Sequence, residues 1–174
     1  MVFSALPEDA FTSVLGGIQH SMHPSQSVLY EQGQPGKFIL SIRHGWVKLI
    51  HADANGVTRI VRLMGAGSLL GLELFSLRQQ EYYLQSAVSY GEVDLCRIPL
   101  STMRRLSEEY PELYPGILRR SQEHVNAADE VIASFSTGAL RQRIGHVLSF
   151  LSREMSQQGG FSLMSVAEVA ALVG

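Results

Sequence analysis

The residues able to do chemistry are few and scattered. The chain has six histidines (His20, His23, His44, His51, His124 and His146) and a single cysteine, Cys96. No His-x-His pair offers a metal site on a β-barrel, and no histidine lies in a haem-attachment motif. No nucleophile has a base at a telling spacing, and no two carboxylates are placed for acid–base work. These patterns point away from an enzyme. One thiol cannot form an internal disulfide, which fits a reducing cytoplasm. The local pattern with the clearest mechanism is Ser165-Val166-Ala167-Glu168. It is a capping box: the serine hydroxyl takes the backbone N–H of Glu168, and the glutamate reaches back to the serine N–H. Ala170 and Gly174 follow, four residues apart, among Val169, Leu172 and Val173. The first helix of a helix-turn-helix needs a small residue where the second crosses it, and a glycine where the turn enters left-handed space. Residues 166–174 meet both demands.

The elements that position these residues change in kind near Pro99. Residues 6–19 read as a short helix, with Ala10, Val14 and Ile18 at four-residue steps. Strand candidates follow at 27–30, at 37–43 and 46–51 around a turn at His44-Gly45, and at 58–64 after the loop Asp53-Ala54-Asn55-Gly56. In that loop Asn-Gly suits a hairpin because both residues tolerate positive φ. Gly65-Ala66-Gly67 precedes a strand at 69–74, and two more runs at 82–88 and 92–98 complete the set. Short strands with glycine at the corners describe a sandwich or jelly-roll barrel.

Helical periodicity takes over beyond Pro99. A helix at 101–110 stops at Pro111, and a long one covers 112–135, with Pro115 tolerated in its first turn. Leu118, Val125 and Ile132 recur every seven residues, and Ser121, Ala128 and Phe135 fill the alternate positions of an a/d seam. Ile117, His124 and Val131 form a second, adjacent stripe. One stripe is expected to face the barrel and the other a second copy of the helix in a parallel homodimer. Ser136-Thr137-Gly138 separates this helix from another at 139–158, which Gly159-Gly160 ends.

Bulk numbers agree with a soluble globular chain: 45% of residues are apolar and 17% charged. No apolar run is long enough to span a bilayer, and the nearest, residues 68–77, is interrupted by Glu73. Residues 1–10 carry no export signal. The net charge of −2 is not that of a nucleic-acid binder.

Taken in order, a barrel, a seam-bearing helix, a second amphipathic helix and a capped helix resemble the CRP/FNR family of transcription regulators. Val28-Leu29-Tyr30-Glu31-Gln32-Gly33 resembles the strand and glycine turn that open the family's barrel. Gly45-Trp46-Val47-Lys48-Leu49 resembles its Gly-x-Val/Ile-x-Leu strand, and Gly65-Ala66-Gly67-Ser68-Leu69-Leu70-Gly71 its Gly-x-Gly-Asp-x-x-Gly turn. Leu140-Arg141-Gln142-Arg143-Ile144 resembles the entry into its DNA-binding domain. The resemblance implies an α+β chain with three parts. Residues 1–110 would be a cyclic-nucleotide-binding-like jelly-roll (double-stranded β-helix) sensor, 111–137 the dimerisation helix, and 138–174 the start of a winged helix-turn-helix. The recognition helix would lie beyond Gly174, which accounts for the weak basic charge. These residues alone would then not read DNA.

The resemblance also bears on the effector. Cyclic-nucleotide binders of the family use a glutamate for the ribose and an Arg-Ser pair for the phosphate. Glu73 stands at the glutamate position, but Tyr83 and Leu84 stand at the pair, and neither supplies the charge a phosphate needs. Gly71-Leu72-Glu73 is closer to the FNR branch. Cys96 stands where one cluster cysteine of that branch stands, without the other three, and one thiolate does not hold an iron–sulfur cluster. A buried apolar filler is the simpler role for Cys96. Haem through His124 is the remaining specific cofactor, set against a merely packed histidine. The expected effector site is therefore Glu73, Tyr83, Leu84 and His124, with an unidentified small ligand. The expected partners are a second copy and, in an intact form, DNA, with no membrane. The competing expectation is a stand-alone sensor or interaction module of the same fold without DNA binding.

Overall fold

The computed structural model describes residues 16–76, 81–135, 139–156 and 165–173. Among these residues six strands form one antiparallel sheet: β1 (Gln19–His23), β2 (Val28–Tyr30), β3 (Phe38–Ala52), β4 (Thr58–Met64), β5 (Leu69–Leu70) and β6 (Ser86–Pro99). Among the described residues five helices accompany it: α1 (Glu73–Ser76), α2 (Leu100–Glu109), α3 (Leu113–Phe135), α4 (Leu140–Ser156) and α5 (Val166–Val173). This is the jelly-roll barrel followed by helices that the patterning predicts.

The barrel is organised by two long strands. β3 and β6 pair along their whole length, from Phe38 opposite Pro99 to Ile50 opposite Ser86. One half of this ribbon is flanked by β1 and β5, the other by β2 and β4. Leu40, Ile42, Val93 and Leu95 from the first half share a core with Tyr30, Val47, Leu49, Met64 and Ala87 from the second. The ribbon therefore folds over on itself and encloses one interior. A second core lies outside the first, where Ile39, Leu69 and Ile98 pack against Met103 and Leu106 of α2 and Leu113 and Ile117 of α3.

Several expected boundaries are corrected. His44-Gly45 is not a turn between two strands. β3 runs straight through it, and its register against β6 shifts on either side of His44. Gly45 has φ 85° and lies against the backbone of Glu92 and Val93, so it forms a bulge that bends the ribbon. The runs at 82–88 and 92–98 likewise belong largely to one strand, β6, which continues through Gly91 at φ 75°. Tyr82 forms an isolated bridge with Pro35 outside that strand. β5 ends at Leu70, and Glu73 opens α1 instead of continuing a strand. Gly16 and Gly17 form a turn and Gln19 begins β1, so the helix expected at 6–19 does not reach its proposed end; residues 6–15 lie outside the described ones. In the 53–56 loop only Gly56 takes positive φ, and Asp53 closes the loop by accepting the N–H groups of Asn55 and Val57.

The helices keep close to expectation. α3 starts at Leu113 with Pro115 in its first turn, where a missing N–H costs nothing. Gly174, Gly138 and Gly159-Gly160, and the side chains of Val131, Ile132 and Phe135, lie outside the described residues.

Candidate functional site

Glu73, Tyr83 and Leu84 meet at one corner of the barrel. Gly71, at φ 79°, turns the chain from β5 into α1 and lets Tyr83 approach: a Cβ there would lie 3.0 Å from the tyrosine ring and 3.2 Å from the Phe38 carbonyl oxygen. Tyr83 is buried and stacks on Tyr30, with ring centroids 3.8 Å apart and planes 12° from parallel. Its hydroxyl donates to the Phe38 carbonyl at 2.7 Å. Leu84 is 44% exposed, and its contribution is backbone: its N–H donates to Glu73 Oε1 at 3.4 Å. Burial, reinforced by the Glu73 charge, raises the Tyr30 hydroxyl far above its ordinary range. Burial also raises Tyr83, against the lowering effect of its backbone hydrogen bonds. The corner is a neutral aromatic stack with one carboxylate at its rim. Arg97 stands nearby, over the ring of Phe38 at 4.4 Å.

His124 belongs to a second group, on the face of α3 turned toward the barrel. Ile117, one heptad earlier, is buried in the outer core, and His124 is half-buried. Arg120 lies over Gly67 of the β4–β5 turn, where a Cβ would come within 3.2 Å of its guanidinium. Burial lowers the His124 pKa, Arg62 and Arg120 lower it further, and Glu123 opposes them. The same Glu123 accepts a hydrogen bond from Arg120 at 2.9 Å. The charged form of the imidazole is thereby disfavoured beside two guanidiniums.

On the adjacent face of α3, Leu118 is 70% exposed and Val125 46%. Ser121 and Ala128 on the same face are partly covered. Cys96 is half-buried on β6, opposite His20 of β1 and Ser41 of β3, and burial raises its thiol pKa. A protonated thiol is a poor nucleophile and a poor metal ligand. Among the described residues, no three of His, Cys, Asp and Glu converge as a metal site would require. No described helix is long and apolar enough to cross a membrane.

The capping box is formed: Ser165 N–H donates to Glu168 Oε2 at 2.9 Å, and Glu168 N–H to Ser165 Oγ at 3.2 Å. Sequence reasoning missed what the other carboxylate oxygen does. Glu168 Oε1 accepts a hydrogen bond from Lys48 Nζ, 2.5 Å away on β3, and one from Gln26 Nε2 at 3.3 Å. It also missed Tyr30 as the stacking partner of Tyr83. Neither pairing has a signal along the chain, because 53 residues separate the tyrosines and 120 separate Lys48 from Glu168.

Comparison with known proteins agrees with this architecture. Residues 22–110 match the model of the cyclic nucleotide-binding domain. The chain is 25% identical over 132 residues to the anaerobic regulatory protein of Pasteurella multocida, covering 76% of this chain and 47% of that one. It is 25% identical over 131 residues to the fumarate and nitrate reduction regulatory protein of Yersinia pestis, covering 75% and 51%. The chain thus spans about half the length of these curated relatives. Among solved structures, the c-di-GMP responsive global regulator CLP of Xanthomonas campestris superposes with a TM-score of 0.78 at 16% identity, over 96% of this chain and 84% of that one. With its ribbon-built barrel, its helix order and these matches, the chain belongs to the cyclic nucleotide-binding domain family and is similar to regulators of the CRP/FNR group.

Proposed function

We propose that this chain is the sensing and dimerising part of a DNA-binding transcription regulator, cytoplasmic and homodimeric. Its effector would act where the barrel meets α3. The observation that carries this reading is the division of α3 into two faces. Ile117 and His124 are turned to the barrel, while Leu118 and Val125 stand exposed one heptad apart. A signal that shifts the barrel against the first face alters the pairing of the second, and with it the spacing of two DNA-reading elements. α4 and α5 would be the opening helices of the DNA-binding part.

The effector would not be a cyclic nucleotide. The positions expected to hold its phosphate are Tyr83, committed to the stack on Tyr30 and to Phe38, and Leu84, which offers only a backbone N–H already used by Glu73. A phosphate brought beside Glu73 would meet negative charge, and the two positions expected to hold it supply no guanidinium to offset that charge. Titration calorimetry with cyclic AMP and cyclic GMP at millimolar concentration is expected to give no binding heat. Sedimentation velocity of the same sample is expected to give a dimer at micromolar concentration. A monomer, or saturable nucleotide binding, would sink the corresponding half of the proposal.

A further inference from the structure

One polar cluster lies apart from the corner of Glu73 and Tyr83, from His124 and from the exposed face of α3. Along β3, Val47 and Leu49 point into the barrel core, so Lys48 between them points out. Yet Lys48 is only 4% exposed. Its ammonium is bounded by the Glu168 carboxylate, by Gln26 Oε1 at 3.0 Å and by the ring of Tyr90, 5.7 Å from Nζ to its centre. A lysine this well covered is rare unless it is paired, because the lone charge would lose its hydration for nothing. Its carboxylate partner comes from α5, which packs against β4.

The barrel side of the cluster is built with unusual care. Gln26 is, among the described residues, the only non-glycine at positive φ, 65°. Such a conformation is unfavourable for a residue that carries a Cβ and persists where its surroundings enforce it. Here they do. Gln26 N–H donates to the Ser89 carbonyl, Ser27 N–H donates to Ser89 Oγ, and Ser89 Oγ in turn donates to the Pro24 carbonyl. Ser89 itself is fully buried on β6. The β1–β2 turn is thereby fixed so that the Gln26 amide touches both Lys48 and Glu168.

We propose that Gln26 and Lys48 form a carboxylate-receiving site on the barrel whose ligand is Glu168 of the chain's own α5. The contact is a latch that sets where α5 lies. The two oxygens of Glu168 divide the work: Oε2 caps α5 and Oε1 docks it. A displacement of β3 relative to the β1–β2 turn would spoil the socket, and α5 would be released as a unit with its cap intact. The regulatory meaning rests on reading α5 as part of a DNA-binding element. The latch itself does not, and its test needs no DNA.

That test is hydrogen exchange of the 174-residue chain, followed in peptides from 166–173 and from β3. Lys48→Met removes the socket and leaves the capping box untouched. It is expected to speed exchange in 166–173 at least tenfold, with the β3 amides unchanged. Glu168→Ala removes cap and dock together, and Ser165→Ala weakens the cap alone, so Glu168→Ala is expected to free α5 well beyond Ser165→Ala. This second comparison decides the matter if Lys48→Met disturbs the barrel. Exchange in 166–173 within twofold of the unsubstituted chain in both Lys48→Met and Glu168→Ala would overturn the latch. So would a Ser165→Ala effect as large as that of Glu168→Ala. Positive exchange results without any DNA binding by a longer chain would leave the latch standing and remove only its regulatory meaning.

Discussion

At the scale of single residues, the chemistry lies in which groups are kept neutral and which are kept charged. Tyr83 fills space, and its hydroxyl donates to the Phe38 carbonyl and accepts the Phe38 N–H, so its substitutions separate the two roles. Tyr83→Phe keeps the stack on Tyr30 but leaves the Phe38 carbonyl without its 2.7 Å donor, at a cost of about 1 kcal/mol. Tyr83→Ala also opens a cavity against Tyr30 and should cost about 3–5 kcal/mol. Urea unfolding monitored by circular dichroism checks both, and equal losses would mean that the stack contributes nothing. His124 makes a prediction about pH. Burial, then Arg62 and Arg120, hold its pKa below the ordinary 6.5, while Glu123 opposes. Because the folded value is the lower one, the unfolded chain binds the proton more readily, and stability falls as pH drops below about 6.5. Above that range the ring is neutral in both states and the effect vanishes. His124→Gln should therefore lose less stability than the unsubstituted chain between about pH 8 and about pH 5.5. Parallel losses in the two proteins would show that His124 does not titrate against its arginine neighbours.

At the scale of elements, the bends of β3 and β6 are the feature most easily misread along the chain. A glycine at positive φ looks the same in sequence whether it makes a hairpin turn or a bulge. His44-Gly45 therefore reads as a turn, although what distinguishes it is the distant β6 backbone lying alongside. Polar β1, Gln-His-Ser-Met-His, has no alternation to betray it, since an edge strand held by β6 needs little apolar surface. By contrast α2, α3 and α4 were legible because helical periodicity is local, and the barrel-facing face of α3 followed from the same stripe. Glu73, Tyr83 and Leu84 do converge, but Tyr30, Gln26 and Lys48 are set by strand register and turn geometry that no short motif encodes. Gly45→Ala tests the bulge. The left-handed φ alone costs about 1–3 kcal/mol, and the methyl would also run into the Glu92 carbonyl. A clear drop in thermal midpoint is expected, and a variant as stable as the original would contradict the bulge geometry. The latch has its own pH signature. Burial pushes the Glu168 pKa up, but hydrogen bonds from Lys48, from the Ser165 backbone and hydroxyl, and from Gln26 outweigh it and bring it to about 2. The lowered folded value means that the contribution is fully present above about 4.5 and lost as pH falls toward 2. A carbon-13 titration of the Glu168 side chain should find its midpoint well below 4, and Lys48→Met should move that midpoint upward.

At the scale of the whole molecule, what covers Leu118 and Val125 decides how two copies could meet. Two apolar side chains exposed one heptad apart on a 23-residue helix form a stripe that a partner helix would bury. In a two-fold dimer each substitution occurs twice. An arginine placed at a buried seam position costs about 2 kcal/mol per copy, or about 4 kcal/mol per dimer, which is a weakening of roughly a thousandfold. Leu118→Arg and Val125→Arg are each expected to turn a micromolar dimer into a monomer by sedimentation velocity. The barrel-facing neighbour supplies the contrast. Ile117→Ala lies in the outer core and should lower stability by about 2–5 kcal/mol while leaving the dimer intact at temperatures where the barrel remains folded. If both arginine variants sediment as the unsubstituted chain does, the exposed face of α3 is not the seam. If Ile117→Ala instead dissociates the dimer, the two faces of α3 have been assigned the wrong way round. Either result would remove the route by which a change in the barrel could reach a second copy, because that route needs one face of α3 against the sensor and the other against its twin.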